Sequence, residues 1–290
     1  MKIYDRKTES FIEEKEYQEG LLNFLYTTFI GRVLLKLVVA RPWFSKLRTR
    51  YQRSPKSCKD IEPFIEEYKV DITPYVNSTE PISQTWKNFN DFFIRQRKIE
   101  NVSSPNELVA VADSKLSAYK IEDNLQLKIK NSIYTLNEIV QNKIPLDEFK
   151  GGTALVFRLS VYDYHRYVFC DEGRLIGSYK IKGELHTVRP VSEKYKVYAR
   201  NSRVVNELDT KNFGKVIQVE VGALLVGCIR NHEVNDFTKL QEKGYFEYGG
   251  STIILLVKNN VVIDKDILER SADDIETKVQ IGEKIGEIIT

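Results

Sequence analysis

Seven short runs of β-forming residues follow one another from about residue 108, and they constrain the fold more than any other feature. Each run is bounded by Gly, Asn or Asp, which is typical of short strands joined by turns. Before residue 100, apolar and aromatic residues instead recur at helical spacing. We therefore predict an α+β protein, with a helical N-terminal region over 1–100 and a mainly antiparallel β body over 101–290. The runs are LVAVADSKLSAYKI, LQLKI, TALVFRLS, YHRYVF, KVIQVEVGALLVGCI, STIILLV and VVI.

The most apolar part of the N-terminal region is the window 21–40, LLNFLYTTFIGRVLLKLVVA. Its length would allow a helix to cross a bilayer, but two cations near the bilayer centre oppose this. Thr28, Arg32 and Lys36 recur every four residues and form one polar stripe on a helix. We therefore predict an amphipathic helix that lies in a membrane interface. The apolar residues that fall mainly on another face are Leu22, Leu25, Phe29, Val33 and Leu37.

The flanking residues support a membrane surface as the partner. From Gly20 to Lys59 the chain has nine Lys or Arg residues and no Asp or Glu. Each basic residue near an anionic bilayer contributes about 1 kcal/mol of attraction, and Trp43 suits the headgroup level. We predict a membrane-binding segment at about 20–59 and a peripheral location on the cytoplasmic face of the cell membrane. The alternatives are a core helix with a solvated basic edge and, more weakly, a nucleic-acid surface, since the basic run is local and net charge is only +3.

Cysteine usage points to a reduced compartment. The three cysteines, Cys58, Cys170 and Cys228, form no C-x-x-C pair. The pattern argues against a disulfide framework and a structural zinc site, and we expect no metal. The polar first twenty residues are unlike a secretory signal.

A Gly-Gly-Ser sequence at 249–251 stands immediately before an apolar run, in GYFEYGGSTIILLV at 244–257. The run predicts a buried strand over 253–257, and Gly-Gly-Ser commonly forms a turn. A second interpretation is chemical. Because glycine has no Cβ, Gly250 could adopt a conformation in which the Ser251 hydroxyl approaches its carbonyl.

The titratable candidates are few. His165, in RLSVYDYHRYVF, and His186, in KGELHTVRP, could each act as a general acid or base, although a lone histidine is more often structural. Asp113 follows the apolar run LVAVA and could cap a turn or orient a histidine. The sequence has no G-x-S-x-G elbow, P-loop, G-x-G-x-x-G or H-E-x-x-H motif.

Six motifs in fixed order resemble the bacterial phosphatidylserine decarboxylases, especially the forms found in clostridia-like bacteria. The resemblance runs from about residue 20 to the C-terminus, and the last two motifs are the specific ones. The motifs are FNDFFIRQRK, VADSK, FRLSVYDYHRY, GELHTVRP, NFGKVIQVEVGALLVG and EKGYFEYGGST.

This resemblance implies that the chain is a zymogen that cuts itself between Gly250 and Ser251. The Ser251 oxygen would attack the Gly250 carbonyl, and β-elimination from the resulting ester would leave a pyruvoyl cofactor at residue 251. The products would be a large chain, 1–250, and a small chain, 251–290, that remain partners. The pyruvoyl ketone would form a Schiff base with phosphatidylserine and release CO₂ to give phosphatidylethanolamine.

The resemblance also assigns roles to residues. Asp113 matches the acid of the family's catalytic triad, Ser251 the nucleophile and cofactor precursor, and His165 the first histidine of the D-Y-H-R-x-H motif. The second histidine, which is the triad base, is replaced by Val168. Our hypothesis is that His186 replaces that base, with His165 as the second candidate. Ser114 stands where the family usually has glycine, which we expect to be tolerable.

Two alternatives to this enzyme remain open. One is an uncleaved, inactive relative that only binds membranes, for which Val168 is the best support. The other is a pyruvoyl decarboxylase for a different amine-bearing acid, which the basic amphipathic segment disfavours. By resemblance, the partners would be phosphatidylserine, an anionic membrane surface and a second copy in a homodimer.

Overall fold

The computed structural model describes residues 2–14, 18–75, 85–100, 103–129, 132–188, 190–224, 228–249 and 251–289. Within these residues the strands are β1 Lys2–Asp5, β2 Ser10–Glu13, β3 Glu107–Val109, β4 Ser114–Lys120, β5 Gln126–Ile129, β6 Ser132–Thr135, β7 Thr153–Leu159, β8 Arg166–Val168, β9 Gly173–Ile181, β10 Arg203–Thr210, β11 Gly214–Gly222, β12 Ile229–Asn231, β13 Asp236–Phe237, β14 Glu242–Phe246, β15 Ser251–Val257, β16 Val261–Ile263, β17 Glu276–Val279 and β18 Lys284–Ile288. The α-helices are α1 Glu19–Thr27, α2 Phe29–Leu34, α3 Pro42–Gln52, α4 Ile61–Tyr68, α5 Phe89–Phe93, α6 Leu136–Val140, α7 Val197–Arg200 and α8 Lys265–Ala272.

One large sheet forms the body of the protein. In the described part of the chain it has ten strands, in the order β13-β9-β10-β11-β15-β7-β4-β17-β1-β2, and every neighbouring pair is antiparallel except β1 with β17. Three smaller sheets pair β12-β14-β8, β16-β18-β3 and β5-β6. The predicted mainly antiparallel β body is confirmed.

Strand β15 lies inside the main sheet, between β11 and β7. All seven of its residues are buried, which explains why its sequence is continuously apolar rather than alternating. The buried strand predicted at 253–257 is confirmed. Its first residue is Ser251, so the sequence Gly-Gly-Ser delivers a hydroxyl to the end of a central strand.

The N-terminal region is less helical than its spacing predicts. The hairpin β1–β2 extends the main sheet through β17, so the first helix begins only at Glu19. This pairing joins residues from opposite ends of the chain, so the local spacing of apolar residues does not predict it. The helical spacing seen before residue 100 corresponds here to α4 over Ile61–Tyr68 and to the short helix α5 over Phe89–Phe93.

The single amphipathic helix predicted over the apolar window is wrong in one respect, because Thr28 interrupts it. Thr28 has extended backbone angles, and its side chain accepts a hydrogen bond from Gly31 N at the start of α2. The chain then continues as a π-helical turn over Leu35–Val39. No single described helix is long and apolar enough to cross a bilayer; Glu19–Thr27 and Phe29–Val39 meet the length and composition criteria only together, with a bend of 90°.

The apolar residues of this window are divided between two surfaces. Leu22 and Leu25 are buried against the body, whereas Phe29, Val33 and Leu37 are exposed. Exposed apolar side chains continue across α2, the π-helical turn and α3, and we call this set the exposed apolar face. Its members are Phe29, Ile30, Val33, Leu34, Leu37, Trp43 and Leu47.

Gly31 holds the bend between α1 and α2. A Cβ at this position would lie 2.0 Å from the Phe24 carbonyl oxygen and 2.8 Å from Leu25 Cα. Both are backbone atoms of α1 and cannot rotate away. We predict that Gly31→Ala forces the helices apart and lowers the free energy of unfolding by about 2 kcal/mol, as overpacking does.

Urea denaturation followed by circular dichroism would measure this change. Gly20→Ala is the matched control, because a Cβ there meets no atom within 4 Å and alanine favours the helix. A Gly31→Ala protein as stable as wild type would contradict the predicted role of the bend.

Candidate active site

Ser251 begins β15 in a fully buried position. It pairs with Leu159 of β7 on one side and with Gly222 of β11 on the other. Its Oγ lies 3.4 Å from Nδ1 of His165, which follows β7 in the next loop. The sheet therefore brings together two of the residues singled out in the sequence. Gly250, the other half of the predicted cleavage site, lies outside the described residues.

The surroundings of His165 fix its tautomer. Its Nε2 lies 3.0 Å from the carbonyl oxygen of Ser160, which can only accept, so Nε2 carries the proton and donates it. Nδ1 therefore has a free lone pair directed at the Ser251 hydroxyl. The ring also stacks on Phe93 of α5, with centroids 4.0 Å apart. The short helix α5 thus supports one face of the imidazole.

His165 is neutral at physiological pH. Burial, assisted by the positive charge of Arg95, lowers the pKa of His165 to about 3. A neutral imidazole with an unprotonated nitrogen beside a hydroxyl is the arrangement that a general base requires.

Asp113 lies at the turn that leads into β4. Arg97 Nη2 donates to its two carboxylate oxygens at 2.8 and 2.9 Å, and the backbone N–H of Ile281 donates at 2.8 Å. Its described hydrogen bonds include neither His165 nor Ser251. The triad role assigned to Asp113 by resemblance stays a prediction, and the group that directly orients His165 here is the Ser160 carbonyl.

His186 faces the N-terminal helices. Its Nδ1 lies 3.2 Å from the Tyr26 hydroxyl and its Nε2 3.1 Å from the Glu184 carboxylate, and the ring stacks on Tyr195. Burial lowers its pKa. Only its backbone connects to the Ser251 region, because Asn201 Nδ2 donates at 2.8 Å both to His186 O and to Gly222 O. The hypothesis that His186 is the base gains no support from these contacts.

A buried ion cluster lies behind the His165 loop, and the sequence analysis missed it. Lys115 donates to Asp163 at 2.7 and 2.8 Å, and Arg158 donates to Glu276 at 2.9 Å and to Glu14 at 2.7 Å. Lys115 also lies 3.4 Å from Glu14. Burial opposes ionisation of Glu14, but Arg158 and Lys115 outweigh it and hold the pKa of Glu14 well below its usual range.

This cluster fixes the residue that orients His165. The Ser160 backbone N–H donates to Asp163 at 2.7 Å, and the Ser160 hydroxyl donates to Glu14. The backbone N–H and the hydroxyl of Ser160 are therefore both held by carboxylates of the cluster, while its carbonyl oxygen accepts a hydrogen bond from His165 Nε2. Lys115 and Asp163 belong to the motifs VADSK and DYHRY, but Glu14 belongs to no motif and could be found only through the fold.

An apolar cavity of about 430 Å³ opens beside the site. Its wall contains Ser160 and Gly249 on one side and residues of α1 to α3 on the other. We call it the apolar cavity; the apolar side chains that line it include Leu21, Leu22, Leu25, Leu34, Val38, Val39, Phe44, Val161, Val188 and Leu224. The cavity therefore reaches chain segments next to Ser251 and His165, and its apolar lining suits hydrocarbon.

Comparison with known proteins agrees with this arrangement. The family model for phosphatidylserine decarboxylase matches residues 89–287. The chain is 49% identical to phosphatidylserine decarboxylase proenzyme 2 of Clostridium acetobutylicum, with 98% of each chain covered. It is 39% identical to the phosphatidylserine decarboxylase proenzyme of Ruminiclostridium cellulolyticum, covering 100% of this chain and 98% of the relative.

These matches identify the chain as a decarboxylase, an enzyme of the lyase class, as the resemblance implied. The chain belongs to the phosphatidylserine decarboxylase family.

The cluster generates a stability prediction. Glu14→Ala removes a carboxylate whose side chain is 1% exposed and leaves Arg158 and Lys115 each with one fewer partner. We expect a loss of about 3 kcal/mol in the free energy of unfolding, the lower end for a broken buried ion pair, because Glu276 and Asp163 remain.

Urea denaturation at neutral pH measures this loss. Glu13→Ala is the control, since it removes an exposed carboxylate from the preceding position. Equal stability of the two variants would contradict the role given to the cluster.

Proposed function

We propose that this chain is a self-cleaving phosphatidylserine decarboxylase in which Ser251 supplies the cofactor and His165 is the base for maturation. The observation that carries the proposal is the 3.4 Å approach of Ser251 Oγ to the unprotonated Nδ1 of a neutral, buried histidine. The identity of the substrate rests on the family and on the apolar cavity beside the site.

Maturation begins with transfer of the Ser251 hydroxyl proton to His165 Nδ1. The Oγ atom attacks the Gly250 carbonyl carbon, and the backbone C–N bond breaks as the leaving nitrogen takes the proton back from His165, so the amide becomes an ester with residue 251 as the alcohol. Loss of the Ser251 α-proton then expels the Gly250 carboxylate and leaves dehydroalanine. Tautomerisation to an imine, addition of water and loss of ammonia give the pyruvoyl group.

Position 168, where the family usually has its base, cannot serve here. Val168 is fully buried in β8, and its backbone N–H donates to Val111 O. Between the two remaining candidates, His165 has a nitrogen facing Ser251, whereas both His186 nitrogens face other side chains. We therefore assign the base to His165 and propose that His186 helps to attach α1 to the body.

The same residues suit the decarboxylation that follows. The pyruvoyl group, when formed, supplies the electron-withdrawing carbonyl that accepts the electrons left on the substrate Cα as CO₂ departs. His165 Nδ1 faces residue 251 and is the atom that we propose exchanges a proton with that Cα. The buried strand β15 keeps residue 251 fixed, and the apolar cavity would receive acyl chain carbons and exclude water.

The exposed apolar face would place this cavity at a membrane. Ile30 is 70% exposed and Phe29 is 77% exposed. Adjacent apolar side chains with this exposure are typical of a surface that contacts a membrane or another protein. Arg32 of α2 and Lys46 of α3 are exposed and would contact anionic headgroups. We propose peripheral binding through this face, with substrate entering between the N-terminal helices and the body.

Intact mass measurement under denaturing conditions tests self-cleavage. We expect two chains that meet at Gly250 and Ser251, the smaller carrying a pyruvoyl group in place of its terminal serine. His165→Ala should slow cleavage by at least about a hundredfold, the contribution of a general base. His186→Ala should cleave at nearly the wild-type rate.

Thermal unfolding of both histidine variants controls for loss of fold. A stalled His186→Ala protein together with a normally cleaving His165→Ala protein would transfer the base to His186. A single uncleaved wild-type chain would favour the inactive membrane-binding relative.

The pH dependence of self-cleavage gives an independent prediction. Because the pKa of His165 is lowered to about 3, its basic form is present throughout the range from pH 8 to pH 5. The cleavage rate should therefore stay nearly constant over that range. With a histidine base of ordinary pKa, about 6.5, the cleavage rate would fall roughly thirtyfold between pH 8 and pH 5. Quenched time courses on gels distinguish the two profiles, and the thirtyfold loss would contradict the assignment.

Vesicle sedimentation tests the membrane surface. Ile30→Glu introduces a charge in the exposed apolar face and should reduce binding to phosphatidylserine-containing vesicles by at least about tenfold. Ile133→Glu, at a position 55% exposed on β6, is the matched control and should bind normally. Equal binding of the two variants would exclude this face as the contact surface.

A further inference from the structure

Arg48 of α3 lies where two spaces meet. It lines the apolar cavity, and it also lines a polar cleft of about 520 Å³ whose other residues include Tyr51, Lys59 and Asp60. Tyr248 lines both spaces as well, and it is followed by Gly249 on the way to Ser251. Arg48 therefore stands at the polar mouth of the apolar cavity, near the chain that leads to the reactive residue.

Among the described residues Arg48 forms no ion pair, although Asp60 and Glu67 line the same polar cleft. Its described contacts are the rings of Tyr51 and Tyr248, whose centroids lie 5.4 and 6.0 Å from its guanidinium carbon. Two other arginines in this region form ion pairs with carboxylates. Arg158, in the cavity wall, pairs with Glu14 and Glu276, and Arg53, at the C-terminal end of α3, pairs with Glu247.

We propose that Arg48 binds the phosphodiester of phosphatidylserine and thereby positions the substrate. The inference rests on the proposed function. An apolar space with an available cation at its mouth complements a lipid with an anionic headgroup. A guanidinium can donate two parallel hydrogen bonds to phosphate oxygens, and the two tyrosine rings hold its plane.

Substrate geometry favours this position over the exposed basic residues. The substrate amine must reach residue 251, and only the serine Cα, Cβ and ester oxygen separate that amine from phosphorus. The phosphate must therefore lie just outside the reacting position, while the acyl chains extend away from it. Arg48 suits this position because its guanidinium lies 6.0 Å from the ring centroid of Tyr248, three residues before Ser251, and its side chain lines the apolar cavity.

The test compares Arg48→Ala with Arg50→Ala in the mature enzyme. Arg50 is exposed on the same helix, so both variants lose the same charge. With short-chain phosphatidylserine in detergent micelles, Arg48→Ala should raise KM at least about tenfold and change kcat much less, as loss of a charged hydrogen bond predicts. Arg48→Lys should restore part of the loss, and Arg50→Ala should resemble wild type.

Inhibition identifies the group that Arg48 recognises. Glycerol 3-phosphate should inhibit wild type and lose potency in Arg48→Ala, and stronger inhibition by glycerophosphoserine would distinguish a headgroup site from a site for free phosphate. An unchanged KM, or equal effects of Arg48→Ala and Arg50→Ala, would overturn the proposal.

Self-cleavage separates this inference from the proposed function. Maturation uses no substrate, so Arg48→Ala should cleave itself at the wild-type rate. Failure of wild type to cleave would overturn the proposed function instead. In that case, calorimetric binding of dioctanoylphosphatidylserine to Ser251→Ala protein, with and without Arg48→Ala, decides the Arg48 proposal, and equal affinities would overturn it.

Discussion

The buried ion cluster around Arg158 is the interaction on which the site depends. Two cations and three carboxylates are buried together there. The charge of each group is balanced only while the others keep their positions. Ser160 is bonded to two of the carboxylates, so its carbonyl has little freedom. That carbonyl sets the tautomer of His165, and the tautomer presents a lone pair to Ser251. The cluster thus connects the N-terminal hairpin to the reactive end of β15.

The N-terminal helices have a different task from the sheet. Their bend at Thr28 assigns Leu22 and Leu25 to the protein interior and Phe29 and Leu37 to the outside. One sequence window therefore closes the apolar cavity and also forms the exposed apolar face. A straight helix would present one apolar stripe to a single environment. In the proposed binding mode, the membrane surface and the apolar cavity have these helices as a common wall.

Local sequence pattern predicts the parts of this structure that depend on neighbouring residues. The apolar run after Ser251 predicts its buried strand, and the motif around His165 marks this histidine as a candidate site residue. The contact between them joins residues 86 positions apart, and the ion pair of Glu14 with Arg158 spans 144. Glu14 lies in a stretch of mixed charge that gives no signal of burial. The spacing of Thr28, Arg32 and Lys36 predicts a polar stripe on one helix. A threonine that caps a helix and one inside a helix can occupy the same position in this repeat, so the spacing does not distinguish them.

The replacement of the family histidine by Val168 becomes understandable once the surroundings of that residue are considered. Val168 packs in the main hydrophobic core, where a second imidazole would need polar partners. His165 Nε2 is committed to Ser160, so its Nδ1 is the one ring nitrogen able to exchange a proton with residue 251. The same atom can accept the serine proton during maturation and face the substrate Cα afterwards. In the proposed mechanism these two events are separated in time by the conversion of residue 251, so one histidine would serve for both.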